Sequence, residues 1–514
     1  MILIISIHLF YLNPNFYKYF KNNVKYKFFI FILFILLWIF FSFYQRNNFI
    51  YIPEILNYDN QRLKIIVPKK KCHSCKLTLF FSSKFRETHS LKEFDIIQIN
   101  LTDKDYFVTF FVDNINYFFY IQFLKDHGLI RSNNIKGKNN IFLTNNINEI
   151  IQTSSNQLNN YQKIYQYISA DFLFQKNSLF EQYKYFKKLY NDDFDYMPET
   201  FIYPEDKYLI LNKFNKYKLD MDNLWLIKPT NKCSGEGIKI LKTLKSIKNN
   251  EFILTKYIKN IDLIKGKKYD LRLYVLISGL KPLRIYFYNE GLVRIASEKY
   301  SINPNNIGNN YIHLTNTDIN KHNKNFINPN NSNNENSNIW NILMYKKYLK
   351  EKHSIEWKEI RIKLKDIIIK TIISLQHKLI EDNEKRKLND KNFYNLLGFD
   401  ILITNDLIPK LLEVNHSPAM YINNNLERLI KNNLFTDTLN LIGISPFSRK
   451  KNKPLIFGVY NKNERESNIN DALCEIKRPR GDYELIFPLK SNINIYKKYF
   501  INNSNENIIF WSKI

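Results

Sequence analysis

The residues best suited to do chemistry lie late in the chain, in the segment NFYNLLGFDILITNDLIPKLLEVNHSP. One apolar run holding Asp400 and a second holding Glu413 and Asn415 predict neighbouring strands joined by a polar turn. Glu413 and Asn415 are two residues apart and therefore share a face. If Asp400 faces the same way, two carboxylates and an amide oxygen meet, which is a ligand set suited to magnesium with nucleotide phosphates. The alternative is a set of strand-end polar residues facing water.

A second segment, LWLIKPTNKCSGEGIKIL, carries a lysine on a strand-like run. Lys228 is followed by a polar loop that holds Ser234 and Gly235, and then by another apolar run. Such a loop can approach phosphates through its backbone N–H groups while the lysine supplies a positive charge. The spacing is neither a P-loop nor a Rossmann fingerprint, so this segment alone is only weakly indicative.

A third segment, KKYDLRLYVLI, places charged residues at every second position. Lys268, Asp270 and Arg272 alternate along a probable strand, so all three side chains can point into one cleft. A solvent-exposed strand face would show the same pattern. These two interpretations stay open at the level of this segment.

Three further segments predict the framework around these residues. The runs LRIYFY and LVRIA flank Asn289-Glu290-Gly291 and predict a β-hairpin with a short glycine-containing loop. Residues 322–341 are dominated by Asn and Ser and predict a surface insertion or mobile loop. From Trp357 onward, apolar residues recur at helical spacing and predict one amphipathic structural helix. They are Ile360, Leu364, Ile367, Ile368, Ile372 and Leu375.

Composition predicts a folded protein and leaves its partners open. The 514 residues are 45% hydrophobic with little Gly or Pro, which fits two or three globular domains and excludes fibrous or disordered classes. The net charge of +28 would attract nucleic acid, anionic lipid or acidic protein tails, although AT-rich codon usage also enriches Lys. Four scattered cysteines are too few for a disulfide framework and favour a reducing compartment. The lone Cys72-x-x-Cys75 pair lacks a second ligand pair at zinc spacing.

An uncharged apolar run near the amino terminus, FFIFILFILLWIFFSFY, begins at Phe28 and ends at Tyr44. Its length is at the lower limit for a membrane-spanning helix, so a membrane anchor is one interpretation. Flanking lysines would then keep the amino terminus in the cytoplasm and carry the rest of the chain across the membrane. A signal peptide or a start codon placed too far upstream are the alternatives.

Six segments in order resemble the core of the tubulin-tyrosine-ligase-like family. They are KPTNKCSGEGI, TKYIKN, KKYDLRLYVL, PLRIYFYNEGLVRIASEKY, HLTNTDINKHNKNF and LLGFDILITNDLIPKLLEVNHSPAM. With an upstream block that begins near Tyr161, the resemblance extends to Pro446. The departures from the family pattern are Thr255, Lys410 and Thr317-Asp318.

The resemblance implies an α/β (α+β) chain with an ATP-grasp fold and a small N-terminal α/β lobe, preceded by an apolar N-terminal helix. Residues 1–48 would be that apolar segment and residues 49–160 the N-terminal lobe. Residues 161–446 would be the ligase domain, including the insertion at 322–341. Residues 447–514 would be a basic C-terminal extension.

The resemblance also implies roles for individual residues, position by position. The residues implied to bind ATP are Lys176, Lys228, Ser234, Gly235, Lys256, Tyr257, Ile258, Lys268, Asp270, Thr315 and Asn316. Within this set, Lys256, Tyr257 and Ile258 would form the adenine hinge. The implied catalytic residues are Lys268, Arg272 and Arg294, and the implied magnesium ligands are Asp400, Glu413 and Asn415.

The implied reaction is ATP-dependent amide formation through an acyl-phosphate. HLTN, INKHNKNF and EVNHSP are most similar to the branch that adds glutamates to acidic tails, so we expect a polyglutamylase acting on tubulin or microtubule tails, with glutamate as co-substrate. We expect no nucleic-acid partner, because no nucleic-acid module is present. The expected location is the cytoplasm and cytoskeleton, including the cilium or basal body. A tyrosine or glycine ligase and a catalytically silent microtubule-binding protein are the alternatives.

Overall fold

The protein is represented by a computed structural model. It describes residues 62–68, 78–83, 94–100, 108–113, 118–135, 137–144, 146–153, 158–159, 161–216, 224–230, 236–241, 251–329, 334–448, 453–454, 464–501 and 504–514. The apolar run that ends at Tyr44 and the Cys72-x-x-Cys75 pair lie outside these residues. Within them, no helix is both long enough and apolar enough to cross a bilayer.

Strands and helices alternate along the chain, which gives the mixed α/β fold that the sequence predicts. The strands are β1 Arg62–Pro68, β2 Thr78–Leu79, β3 Phe94–Asn100, β4 Thr109–Val112, β5 Ile130–Ser132, β6 Ile141–Leu143, β7 Lys163–Ile164, β8 Thr200–Tyr203, β9 Trp225–Pro229, β10 Lys239–Leu241, β11 Phe252–Lys256, β12 Leu263–Ile264, β13 Lys267–Leu280, β14 Leu283–Ile295, β15 Ile339–Asn341, β16 Asn395–Ile403, β17 Pro409–Asn415, β18 Phe447–Ser448, β19 Lys453–Pro454 and β20 Tyr483–Phe487. The helices are α1 Phe118–Asp126, α2 Ile147–Thr153, α3 Ala170–Leu173, α4 Lys176–Tyr190, α5 Lys207–Lys216, α6 Asn310–His313, α7 Thr317–Asn320, α8 Ile342–His353, α9 Trp357–Lys385, α10 Asn425–Ile442, α11 Glu464–Glu475, α12 Ile493–Tyr496 and α13 Asn505–Lys513.

A seven-stranded antiparallel sheet forms the centre of the molecule. Its main path runs β15-β14-β13-β16-β17, with β12 paired to β13 and β20 paired to β14. Successive residues of β13 enter different cores, because side chains alternate across a strand. Leu273 and Val275 belong to one hydrophobic cluster, and Tyr274 and Leu276 to another. The sheet is therefore covered on both faces over most of its area.

Smaller sheets surround the central one. Strands β5-β4-β6-β7 pair in parallel. The first three of these strands, with α1 and α2, lie within residues 49–160, where the sequence predicts a small α/β lobe, but β7 lies beyond residue 160. The bounds of that lobe stay a prediction. Strands β10-β9-β11-β8 form an antiparallel sheet that carries the predicted phosphate-side lysine. A three-stranded sheet, β2-β1-β3, and the pair β18-β19 complete the described strands.

The predicted amphipathic helix is confirmed as α9. All six apolar residues that predicted it are buried in the larger of the two central clusters. Its first turn is closed by a capping box, in which Glu356 and Glu359 each bond the other's backbone N–H. The helix contacts α4 and β17, so it supports the strand that carries Glu413.

The hairpin predicted around Asn289-Glu290-Gly291 is wrong. The chain reverses earlier, at Lys281-Pro282, and Leu283–Ile295 is one continuous strand. Strand β20 pairs with the first half of β14 and strand β15 with its second half. This pairing on both sides keeps β14 extended through Asn289, Glu290 and Gly291. A Cβ atom at Gly291 would lie 2.7 Å from the Arg272 carbonyl oxygen, so the glycine permits close strand approach.

The predicted insertion at residues 322–341 is wrong in its last part. Ile339–Asn341 is strand β15, and Asn338 next to it is buried. The Asn338 Nδ2 atom donates to the carbonyl oxygens of Ile295, at 3.1 Å, and Ala296, at 2.9 Å. An asparagine can replace a strand's own hydrogen bonds, which is why a polar composition did not prevent packing here.

The carboxy-terminal residues complete the central sheet. Strand β20 pairs with β14, and Glu475 at the end of α11 receives the buried guanidinium of Arg284, with Nε 2.8 Å from Oε1. Cys474 forms a disulfide, which the sparse cysteines did not lead us to expect. The division of the chain at residue 446 stays a prediction.

We expect Gly291→Ala to destabilise the protein by about 1–3 kcal/mol, because the new methyl group must displace the Arg272 backbone. Gly308→Ala is the matched control, since a Cβ atom there meets nothing within 4 Å. Urea denaturation of both variants measures the difference. An equal stability of the two variants would contradict the close approach.

Candidate functional site

Charged residues directly opposite each other on four strands form the centre of the site. Arg294 on β14 pairs with Asp270 on β13, Arg272 on β13 with Asp400 on β16, and Asp400 with Glu413 on β17. Lys268, Asp270 and Arg272 alternate on β13 as the sequence predicts. We call the paired residues Arg294, Asp270, Arg272, Asp400 and Glu413 the charge ladder.

Two arginines hold Asp400. Arg272 donates from Nε to Oδ1 at 2.5 Å and from NH2 to Oδ2 at 2.9 Å, and Arg294 NH2 lies 2.9 Å from Oδ2. The Asp400 side chain is only 3% exposed. Burial alone would raise the pKa of Asp400, but the two guanidinium groups outweigh burial and hold the pKa below its ordinary value. Asp400 is therefore a carboxylate at neutral pH.

Asp270 is the second carboxylate of the ladder. Arg294 donates to it from Nε at 2.8 Å and from NH2 at 2.5 Å, and the Thr315 hydroxyl donates to its Oδ2 atom at 2.7 Å. Thr315, which the resemblance implies binds ATP, thus contacts Asp270, and its role in binding stays a prediction. Asn316 beside it is half-buried, and its side chain accepts from the Asp318 backbone N–H at 2.8 Å as the N-cap of α7.

The predicted hinge is divided between the interior and the surface. Lys256 ends β11 with an exposed side chain, Tyr257 is buried, and Ile258 is half-buried. The Tyr257 hydroxyl and Nδ1 of the buried His313 share a hydrogen bond of 2.8 Å. Burial lowers the pKa of His313 to about 4, so the imidazole is neutral at pH 7.

Lys268 lies against this hinge. Its Nζ atom is 4.8 Å from the centre of the Tyr257 ring, within the range of a cation–π contact. Burial lowers the pKa of Lys268 to about 8, although Asp270 opposes the shift. The ammonium group is therefore poorly compensated, and an anionic ligand would stabilise its charged form.

Lys176, Lys228 and Glu413 line a cleft of about 380 Å³ beside the ladder. Lys176 Nζ lies 3.7 Å from the Glu413 carboxylate. Lys228 is buried on β9, and burial lowers its pKa despite the opposing charges of Glu413 and Asp400. The cleft thus brings together two lysines and one carboxylate from distant parts of the chain. Lys176 and Glu413 are 237 residues apart in sequence.

The three proposed metal ligands could supply part of the coordination sphere of a magnesium ion. Asp400, Glu413 and Asn415 converge at the paired strands β16 and β17, and Asn415 Nδ2 lies 3.4 Å from Asp400 Oδ2. Asp400 and Glu413 offer carboxylate oxygens, the ligand atoms that magnesium prefers, whereas Asn415 turns its amide nitrogen toward Asp400 and would have to present its Oδ1 atom to the metal. Among the described residues, no group of three or more His, Cys, Asp or Glu side chains is arranged to hold a metal. A metal ion here would use two carboxylates and an amide, with its other ligands from solvent or substrate.

Sequence reasoning missed several residues that line the cleft. Thr200 and Thr255 face it, and the Thr200 hydroxyl lies 3.3 Å from that of Thr255. The only available signal was that Thr255 departs from the family pattern. The sequence also did not predict that Arg272 and Arg294 both form ion pairs with Asp400, because the register between strands cannot be read from one strand alone. Ser234 and Gly235 lie outside the described residues.

A family model described as the tubulin-tyrosine ligase family matches residues 151–452. The human protein named tubulin polyglutamylase TTLL6 is 33% identical over 373 residues, which cover 68% of this chain and 40% of that protein. A Tetrahymena thermophila protein named probable beta-tubulin polyglutamylase is 34% identical, over 55% of this chain and 24% of its own length. The mouse protein named tubulin monoglutamylase TTLL4 is 32% identical, over 49% of this chain and 21% of its own length. The aligned regions thus span less than half of each relative.

We expect Asp400→Asn to lower the free energy of unfolding by roughly 3 kcal/mol, because it leaves the Arg272 guanidinium without its carboxylate and removes one of the two carboxylates of Arg294. Glu413→Gln is the matched control. We expect it to cost less than about 1 kcal/mol, because Glu413 is 31% exposed and its ion pair is long. Urea denaturation followed by circular dichroism compares the two. Similar losses in both variants would mean that Asp400 does not anchor the ladder.

Proposed function

Because this chain belongs to the tubulin-tyrosine ligase family, we propose that it is an ATP- and magnesium-dependent ligase that adds glutamate to glutamate side chains in tubulin tails. The observation that carries the proposal is that the buried Lys228 and Lys268 lie next to the charge ladder. Poorly compensated cations next to carboxylates suit a phosphate-rich ligand bound with a metal ion. The names of the aligned relatives support glutamate as the added amino acid.

The ATP-grasp fold of this family would place the nucleotide beside β11 and β13. Tyr257 and Ile258 would contact the base, while Lys176, Lys228 and Lys268 would contact its phosphates, with Ser234 and Gly235 from the loop after β9. Asp400, Glu413 and Asn415 would hold magnesium, which when bound neutralises charge on the transferring phosphoryl group. Burial of the lysines matters here, because an ion pair is stronger away from water.

The two arginines of the ladder would bind the acidic substrate. The hydrogen bonds to Asp270 and Asp400 use Nε and NH2 of both Arg272 and Arg294. A substrate carboxylate or acyl-phosphate would accept hydrogen bonds from the NH1 group of each guanidinium. Asp270 and Asp400 therefore set the orientation of the arginines, and this orientation is a precondition for positioning the acceptor.

The reaction would form an amide in two steps. The acceptor glutamate carboxylate attacks the γ-phosphate of ATP to give an acyl-phosphate and ADP. The amine of the incoming glutamate then attacks the acyl carbon, phosphate leaves, and the amine proton passes to solvent or a nearby base. An acceptor tail rich in glutamate would also be attracted to a chain of net charge +28. Such a protein acts at the microtubule cytoskeleton, including that of the cilium or basal body.

We expect the full-length protein, incubated with microtubules and Mg-ATP, to add glutamate but not glycine or tyrosine to tubulin tails. Mass spectrometry of the tails identifies the added residue. Glu413→Gln should lower the rate by at least about 100-fold, because it removes a metal ligand while preserving the fold. Glu335→Gln makes the same chemical change at an exposed ion pair with Lys347 and should leave the rate unchanged.

Two results would redirect the proposal. Addition of tyrosine or glycine would keep the ligase chemistry and change the specificity. Microtubule binding without addition of any of the three amino acids would support a catalytically silent binding protein instead.

We also expect ATP binding to take up a proton near pH 8. Lys268 is partly deprotonated in the free protein at this pH, and the nucleotide phosphates would favour its charged form. ATP affinity should therefore fall as the pH rises above about 8. Calorimetry in two buffers of different ionisation enthalpy measures the proton uptake. Lys268→Arg stays charged and should reduce the uptake, whereas uptake that is the same in this variant would exclude Lys268 as its source.

A further inference from the structure

A second polar cavity, of about 570 Å³, lies at the opposite end of β13 from the charge ladder. It is enclosed by α11, the end of α10, and the β13–β14 turn. Ser278 at this cavity and Arg272 in the ladder are six residues apart on one strand, which corresponds to roughly 20 Å. The charge ladder does not extend into it.

The cavity wall contains a buried ion pair that is fully satisfied. Arg284 donates to both carboxylate oxygens of Glu475, at 2.8 and 3.2 Å, and to two backbone carbonyl groups. Glu475 also accepts from the hydroxyl groups of Ser278, at 2.5 Å, and Tyr286, at 3.0 Å. These groups shape the cavity, but their hydrogen-bonding capacity is already used within the protein.

Two acceptor atoms in the wall are, by contrast, buried without a hydrogen-bond partner. Asp390 is 7% exposed, and its Oδ2 atom accepts from the backbone N–H groups of Leu280, at 2.8 Å, and Lys281, at 3.1 Å. Asp390 has the buried Tyr167 hydroxyl as a neighbour, but its Oδ1 atom forms no hydrogen bond of normal geometry, and neither does the Oδ1 atom of Asn468. Burying an acceptor without a hydrogen bond is unfavourable, so both atoms favour a ligand that donates.

A cation lies in the same wall. The Arg478 guanidinium donates from NH1 to the Leu441 carbonyl oxygen at 3.1 Å and packs against Gly443. Arg478 belongs to the basic C-terminal extension and is half-buried. Burial lowers its pKa, although Glu475 and Asp471 oppose the shift. The guanidinium therefore favours an anionic partner.

We propose that this cavity binds a free α-amino acid with an acidic side chain, at a site separate from the catalytic cleft. The ammonium group would donate to Asp390 Oδ1 and Asn468 Oδ1, and a carboxylate would accept from Arg478. Five cationic and three anionic side chains line the cavity, and Lys281 is also paired with Glu384 outside the lining, with Nζ 2.6 Å from Oε1. The one positive charge left in excess favours a ligand with two carboxylates over a neutral amino acid. Identification of the ligand as glutamate rests on the proposed function, whereas the site itself does not.

The test is calorimetric titration of the full-length protein with L-glutamate in the absence of ATP. We expect saturable binding that is weakened at least about 10-fold in Asp390→Asn, because an amide can keep the backbone hydrogen bonds while presenting a donor to the ammonium group. Arg478→Gln should weaken binding similarly and is the second variant if Asp390→Asn fails to fold. Glu413→Gln, in the catalytic cleft, should leave this binding unchanged.

Analogues test each half of the ligand. Glutarate lacks the ammonium group, and γ-aminobutyrate lacks the α-carboxylate, so both should bind more weakly than glutamate. A cavity that holds only water would give no saturable heat, and this result would overturn the proposal. Binding that is lost in Glu413→Gln but unchanged in Asp390→Asn would also overturn it, because the ligand would then occupy the catalytic cleft. Since no turnover is measured, failure of the ligase assay would not affect this outcome.

Discussion

The buried ion network of Arg272, Asp400, Arg294 and Asp270 is the constraint on which the rest of the site depends. Charges buried this deeply are costly unless each is paired and hydrogen-bonded, and here three strands supply the partners in direct register. Any slip of register between β13 and β16 would leave a charge unpaired in the interior. The network therefore makes the alignment of the central sheet and the geometry of the site a single requirement.

The lysines near this network have a different physical character. Lys228 and Lys268 are buried as deeply as the arginines, but their carboxylate neighbours offset burial only in part, and their pKa values are lowered. Satisfied arginines give a rigid frame, and under-compensated lysines give affinity for an anion. This division suits the proposed binding of a polyphosphate followed by release of the product.

The carboxy-terminal residues connect the central sheet to the second cavity. Strand β20 extends the sheet at β14, and Glu475 neutralises Arg284 at the end where β13 and β14 turn. The same region leaves acceptors of Asp390 and Asn468 without partners. A region that satisfies one buried pair fully and leaves neighbouring polar atoms unsatisfied is more consistent with a ligand site than with a packing fault.

The sequence by itself determined the local elements: the alternation on β13, the strands around Asp400 and Glu413, the helix from Trp357, and the family. These follow from periodicity and from residue types within short segments, which a single chain displays directly. Only the tertiary structure decided that Gly291 lies within a strand, that Asn338 packs in the core, and that Asp400 is shared by two arginines. Each of these depends on which strand lies alongside, and pairing between distant segments is set by the packing of the whole sheet rather than by either segment alone.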